Sequence, residues 1–198
     1  MNSRIEALRT FIWNRKHHGF RRGPETAGLD KLSEKFMAEG VPPVERSARM
    51  LRALLDAEQP VILEGERIVA TRTISRIPSV FTEKEWADIR SRHTLHERGT
   101  VSNISADYEG ILRDGLGLRK SQVEDRLHDK TLTPDQTDFL NAAKECIEAV
   151  QDFIVKYRGC ALKAGLKDVA DVLDAIHSEG AKTLHQALQL LRIVHFAL

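Results

Sequence analysis

The sequence predicts a mainly α-helical chain with one short β-hairpin, on three observations. Apolar residues recur at three- and four-residue steps along most of the 198 residues. Glycines, prolines and Thr-x-x-Glu/Gln patterns fall between these runs, where helices stop and start. Only residues 60–73 change to a β-like pattern.

Taken in order, Ile5, Leu8, Phe11 and Ile12, with Trp13 beside them, predict an amphipathic helix over residues 3–16. The basic stretch 15–22 ends at Gly23-Pro24 and has no aromatic interleaving beyond Phe20. It therefore reads as a solvated turn or an arm packed on a partner subunit, rather than a phosphate or RNA site. Leu29, Leu32, Phe36 and Met37 mark a second helix closed by Gly40. Pro43 suits the first turn of a third, which carries Ala48, Leu51, Leu54 and Leu55 on one face and Arg46, Arg49 and Arg52 largely elsewhere.

The hairpin is expected over residues 61–74. Val61-Ile62-Leu63 and Ile68-Val69-Ala70-Thr71 are its arms, and Glu64-Gly65-Glu66 is its turn. Arg72 and Arg76 follow in a loop toward Pro78. Thr82-x-x-Glu85 is a capping box that opens a helix through Trp86 and Ile89. A helix over residues 119–128 leads to Thr133-Pro134-Asp135-Gln136, a second box with Pro at the first helical position. Behind it run Phe139, Ala142, Ile147, Val150, Ile154 and Tyr157, with an expected stop at Gly159.

Residues 167–176 form another helix, with Val169, Val172, Leu173 and Ile176 inward. Thr183 and Gln186 open the last one, which is apolar on two stripes. Leu184, Leu188, Leu191 and Val194 make one stripe; Leu190, Ile193 and Ala197 make the other. The sequence stops inside this helix on His195-Phe196-Ala197-Leu198, with no cap, and reads as continuing beyond. There is no internal repeat and no low-complexity segment.

Thirty basic residues, that is 30 Lys and Arg, stand against 29 acidic ones, so bulk charge predicts neither a nucleic-acid nor an anionic-membrane partner. No apolar run is long enough to span a bilayer. The 2 Cys give no disulfide framework, so a cytoplasmic location is expected.

The stretch that organises the chain is residues 96–117, HERGTVSNISADYEGILRDGLG. Gly99 and the β-branched and small residues through Ile104 read as a short strand. Ser105 offers a helix-starting oxygen, and Asp107 puts negative charge in the first turn. Tyr108, Ile111, Leu112 and Leu116 space an apolar face, and Gly115 and Gly117 break the helix. A strand turning sharply into a helix can hold a side chain at the lip of a pocket. Asn103 sits in that turn, four residues before Asp107.

Gly99-x-x-x-Asn103-x-x-x-Asp107-Tyr108-x-x-Ile111-Leu112-x-x-Gly115 resembles the N-terminal signature of the glycyl radical enzymes, the pyruvate formate-lyase-like family that includes formate acetyltransferases and glycerol dehydratases. Ala106 stands where the family has Pro or Gly. Three other stretches match in the same order: residues 58–73 (EQPVILEGERIVATRT), 77–86 (IPSVFTEKEW) and 183–198 (TLHQALQLLRIVHFAL).

The resemblance implies that residues 1–198 are the N-terminal, mostly helical part of a ten-stranded α/β barrel. Residues 1–60 would be helical, 61–74 the hairpin, and 82–198 helical with the first barrel strand at 99–104. It implies an anaerobic radical cleavage of a C–C, C–O or C–N bond in a small substrate. The cofactor would be a protein glycyl radical installed by a separate iron–sulfur, S-adenosylmethionine-dependent activating enzyme. The partners would be the remainder of the enzyme chain, that activating enzyme and, at full length, a second subunit of a homodimer. The rival is a stand-alone helical interaction module derived from the family.

The resemblance also implies a thiyl-forming Cys, commonly in Gly-Cys-x-Glu, and a radical loop with a Gly-Tyr pair. Gly159-Cys160 supplies the dipeptide, but Leu162 takes the Glu position. Cys146 lies mid-helix, where Cys behaves as a small hydrophobe. No Gly-Tyr pair occurs anywhere, so both Cys read as structural, no catalytic residue is assigned, and the chain alone is expected to be inactive.

His17, His18, His93 and His96 lack the carboxylate or Cys that would complete a tetrahedral metal set, and His195 reads as a packed core or interface residue. Gly115-Leu116-Gly117 is no nucleotide cradle. Asp174, His177 and Ser178 are neighbours in sequence only, which is no evidence of a triad.

Asn103 remains. In relatives, the residue four before the Asp of Asp-Tyr faces the substrate, with Arg suiting a carboxylate and His a polyol. The amide of Asn103 carries a donor and an acceptor without charge, which suits a neutral polar substrate group; otherwise it ties the turn's own backbone.

Overall fold

The computed structural model describes residues 2–14, 28–74, 76–92 and 106–197. Its helices are α1 Ser3–Asn14, α2 Leu32–Ala38 (entered through a 3-10 turn at Leu29–Lys31), α3 Pro43–Ala57, α4 Glu83–Ser91, α5 Tyr108–Leu127, α6 Pro134–Lys163, α7 Lys167–Ile176 and α8 Leu184–Ala197. The mainly helical expectation is met. No helix among the described residues is long and apolar enough to cross a membrane.

The 30-residue α6 is the axis against which α3, α5, α7 and α8 pack. Phe153, Ile154, Tyr157 and Ala161 of α6 meet Leu55 of α3, Leu173 and Ile176 of α7, and Leu190 and Ile193 of α8. A smaller cluster of Phe36, Val41, Met50, Leu54 and Ile74 joins α2 to α3. The two stripes of α8 part company: Leu190, Ile193 and Phe196 are buried, while Leu184 and Leu188 are exposed.

Caps set the helix starts. Thr82 accepts from the Glu85 amide at 3.3 Å and Glu85 accepts from the Thr82 amide at 2.8 Å, closing the predicted box. Thr133 and Gln136 close a second box at α6, and Thr183 and Gln186 do the same before α8.

Two boundaries differ from expectation. Helix α6 runs through Gly159 to Lys163, because a Gly alone does not end a helix that is packed on both sides of it. The stop is Gly165, at φ 72, with its amide on Leu162 O and the Leu166 amide on Ala161 O. Helix α5 is capped by Asp107, whose carboxylate accepts from the Gly110 amide at 3.0 Å. Within it the backbone leaves helical geometry at Gly115, at φ 77, ψ 175, so the expected break is present and a second helical stretch follows directly.

That kink is a docking point. Gly117 N–H donates to Ser178 O at 2.8 Å, and Ala181 N–H donates to Leu112 O at 2.7 Å, so carbonyl and amide freed by the kink pair with the loop before α8. The fit needs glycine on both sides. A Cβ on Gly115 would lie 2.3 Å from the Glu179 carbonyl carbon, and one on Gly180 would lie 2.0 Å from Arg113 O.

The expected β-hairpin at 61–74 is not formed, and no strand occurs among the described residues. The turn is present, with Glu66 N–H on Leu63 O at 3.0 Å, but its two arms do not pair. Side chains take the place of a second strand. Val69 N–H donates to Gln189 Oε1 at 2.8 Å, and Gln189 Nε2 donates back to Val69 O at 3.0 Å. Thr71 N–H donates to the Tyr157 hydroxyl at 3.1 Å, and Arg192 Nε donates to Ala70 O at 2.9 Å. His185 meets Arg67 O at 2.7 Å. The partners lie on α6 and α8, so residues 67–73 form an extended strap laid along α8.

Arg46 also departs from expectation. It is buried, donating to Val41 O and to Glu85, each at 2.6 Å, and so ties α3 to the start of α4.

Candidate functional site

Asn103, the candidate strand at 99–104, His93, His96, His17 and His18 lie outside the described residues. The structure describes the frame around them. Residues 93–105 connect α4 to α5, so they follow the C-terminal end of α4 and lead to the Asp107 cap. Arg119 Nη2 reaches Asp107 at 3.1 Å and Asp114 at 3.3 Å, holding the cap from inside α5.

Tyr108, the first residue of α5, is half-buried, and its hydroxyl lies 3.4 Å from His195 Nδ1 on the last turn of α8. His195 is exposed, so of the two readings, core or interface residue, the core one does not hold: its neighbours Ile193 and Phe196 take the inward positions. Sequence reading missed the Tyr108–His195 pairing because 87 residues separate the two and no local period links them.

Beneath His195 the helix end is held firmly. Phe196 stacks on Phe153 at 5.0 Å between ring centroids and lies under the Arg72 guanidinium at 4.5 Å. Arg72 Nη2 also donates to Phe196 O at 2.7 Å, and Nη1 lies 3.4 Å from Glu58. Burial lowers the Arg72 pKa from its usual value; Glu58 opposes this and Arg192 adds to it. Glu58 itself is 1% exposed and accepts from both the amide and the hydroxyl of Thr73. Its own carbonyl accepts from Lys156 Nζ at 2.5 Å, and Lys156 also reaches Asp56 O at the end of α3 at 2.6 Å. These groups anchor the strap.

Neither Cys is placed for chemistry. Cys160 lies within α6, not at a loop, and its thiol donates to Pro60 O at 3.5 Å. Cys146 is also on α6, and burial pushes its thiol up, away from the thiolate form. His177 Nδ1 touches Ser178 Oγ at 2.8 Å, but Asp174 pairs with Arg158 at 2.9 Å, so no triad exists. Among the described residues no group of His, Cys, Asp and Glu could hold a metal ion. A shallow hollow of about 290 Å³ beside Arg126, Leu132 and Phe139 contains none of the predicted site residues. What the described frame can do is position groups.

The chain belongs to the pyruvate formate lyase-like family, whose pattern matches residues 76–198, more than half its length. No curated protein matches it. Among solved structures it resembles the glycerol-bound form of the B12-independent glycerol dehydratase from Clostridium butyricum, with a TM-score of 0.73 and 19% identity over 100% of this chain and 34% of that one. It also resembles a Roseburia inulinivorans protein described for 1,2-propanediol dehydration, with a TM-score of 0.65 and 19% identity over 91% of this chain and 32% of that one. At this identity the likeness is one of fold. The chain spans about a third of the length of either relative, 34% and 32%.

Proposed function

We propose that the chain is the substrate-orienting N-terminal part of a glycyl radical enzyme that removes water from a small vicinal diol or triol. The observation that carries the reading is the family match over residues 76–198, which takes in Gly99 through Gly115; within that motif the reading assigns Asn103 to the substrate-facing position. An uncharged amide there suits a hydroxyl group, and the solved relatives are named for glycerol and 1,2-propanediol. Residues 99–104 are the first barrel strand in this reading, and the full-length enzyme is a cytoplasmic homodimer served by a separate activating enzyme.

This chain does not fit the radical chemistry itself. It has no Gly-Tyr loop, and Cys160 is engaged with Pro60 inside α6. Its share is orientation, which matters because misplacing a substrate by about 1 Å costs on the order of 10²-fold in rate.

Turnover and melting of the full-length enzyme carrying Asn103→Ala or Asn103→Asp test the assignment. Asn103→Ala should cut turnover of glycerol and 1,2-propanediol with little change in melting temperature. Asn103→Asp is nearly isosteric but charged, and should cut it as well. Unchanged specific activity with a melting loss of roughly 0.5–2 kcal/mol would instead make Asn103 a turn-tying residue.

A further inference from the structure

Every other α-helix buries at least one residue, but none of the described side chains of α1 is buried, and neither apolar core includes one of them. Arg4 ties the helix to the body, its Nη1 donating to Gly65 O at 2.6 Å. From there α1 runs about 14 Å further to Trp13, which is 80% exposed. Ile5 is exposed as well, and at helical pitch Ile5 and Trp13 fall within one stripe about 100° wide. A 12-residue helix without a packed face is marginal in water, so α1 needs a surface to dock on.

Helix α8 leaves a matching face uncovered. Leu184 is 76% exposed, and Leu188, one turn on, is exposed too. This face lies beside the root of α1: Gly65 receives Arg4, and two residues later Arg67 O meets His185, the neighbour of Leu184. Within one chain the two stripes do not cover each other, since Trp13, Leu184 and Leu188 all remain exposed. A donor stripe and an acceptor stripe close together on one chain form the self-complementary patch that a two-fold pair of copies needs.

Size favours the reciprocal form. One contact along a helix about 18 Å long buries on the order of 700 Å² in total. A specific interface takes roughly 1,200 Å² or more, which one contact misses and two reach.

We infer that α1 is an exchanged arm: its Ile5–Trp13 stripe docks on the Leu184–Leu188 face of α8 in a second copy of this chain, and that copy returns the same contact. The exchange goes beyond the function proposed above and does not depend on which substrate the enzyme takes.

The test is self-association of the chain, followed by sedimentation and by tryptophan emission. Trp86, the other tryptophan, is buried already, so a blue shift that grows with concentration reports Trp13. The Ile5→Asp/Trp13→Asp variant damages the arm and Leu184→Asp/Leu188→Asp damages the face. All four positions are exposed, so the melting temperature should hold. Each double variant by itself should weaken dimerisation about tenfold or more, because every contact would then bury a charge. Mixed in equal amounts, the two should pair more tightly than either does alone, since the intact arm of one meets the intact face of the other.

A chain that stays monomeric at high concentration overturns the inference. So does Trp13 emission that is already blue in dilute solution, which would dock the arm on its own chain. Association that survives either double variant, or that mixing fails to restore, overturns it too.

Discussion

Gln189, wholly buried on α8, binds Val69 through both of the valine's backbone groups, accepting from its amide at 2.8 Å and donating to its carbonyl at 3.0 Å. The planar amide thereby presents to the strap what a neighbouring strand would present, one donor and one acceptor side by side. Both Val69 and Gln189 are out of water, so each group would be orphaned without the other.

Replacing Gln189 by Leu should therefore cost more than an ordinary core substitution. It removes the amide but leaves the Val69 amide and carbonyl buried, each unpaired group costing about 1–3 kcal/mol. A loss of about 2 kcal/mol or more is expected in urea unfolding, with the strap at 67–73 the first segment to gain hydrogen exchange. A loss below about 0.5 kcal/mol would mean that the clamp contributes nothing.

The glycine interlock between the α5 kink and the loop before α8 makes a second prediction. Gly115→Ala puts a methyl group 2.3 Å from backbone at Glu179 and forces alanine to φ 77. Gly165→Ala is the control: its φ is 72, but an added Cβ meets nothing within 4 Å. The control should lose about 1–2 kcal/mol, the cost of the left-handed backbone alone. Gly115→Ala should lose clearly more, because backbone cannot rotate aside as a side chain can and because φ 77, ψ 175 is a conformation essentially confined to glycine. Equal losses by chemical denaturation would show that the close approach is not there.

How much of this was legible in the sequence depends on the range of the interaction. The capping boxes at Thr82 and Thr133 are local, with donor and acceptor three residues apart, and the sequence shows them directly. Residues 68–71 have a β-branched composition, which describes a fit to an extended, half-buried path rather than a pairing partner. Here the partners are Gln189, Arg192 and Tyr157, about ninety or more positions away, and nothing local announces them. Gly159 and Gly165 look alike in sequence, yet only Gly165 takes a left-handed φ. Arg46 reads as a surface cation until Val41 O and Glu85 are seen to enclose it. The candidate site was legible only as a motif, since Asn103 lies outside the described residues and the members of the Tyr108–His195 pair are 87 residues apart.

Acid should weaken the join between α3 and α4. Burial pushes the Glu85 carboxyl up, but bonds from the Thr82 amide, the Arg46 guanidinium and the Thr82 hydroxyl outweigh this and leave it below its usual value. A carboxylate whose folded-state pKa is depressed contributes stability that is present above its unfolded pKa and is lost as pH falls through the folded one. The contribution is thus intact at neutral pH and declines only below the ordinary glutamate range. Glu85→Gln keeps the shape but not the charge, so it should lower stability at pH 7 and flatten the acid limb of the stability profile. Parallel profiles for the two proteins between neutral pH and acid would remove Glu85 from that limb.

The last prediction concerns what this chain does not do. A glycyl radical requires a glycine in a loop that an activating enzyme can reach, and the family's Gly-Tyr pair is missing from all 198 residues. A thiyl radical requires a cysteine on an accessible loop, whereas Cys160 sits inside α6 with its thiol on Pro60 O, and Cys146 is held in its protonated form by burial. The chain by itself, incubated anaerobically with an activating enzyme and S-adenosylmethionine, should therefore give no glycyl doublet in electron paramagnetic resonance and no turnover of glycerol or 1,2-propanediol. Cys160→Ala in the full-length enzyme should leave turnover intact, and its loss of one weak thiol bond should cost no more than about 1 kcal/mol. A doublet on the chain alone, or an enzyme inactivated by Cys160→Ala with its melting temperature unchanged, would put radical chemistry back into these residues.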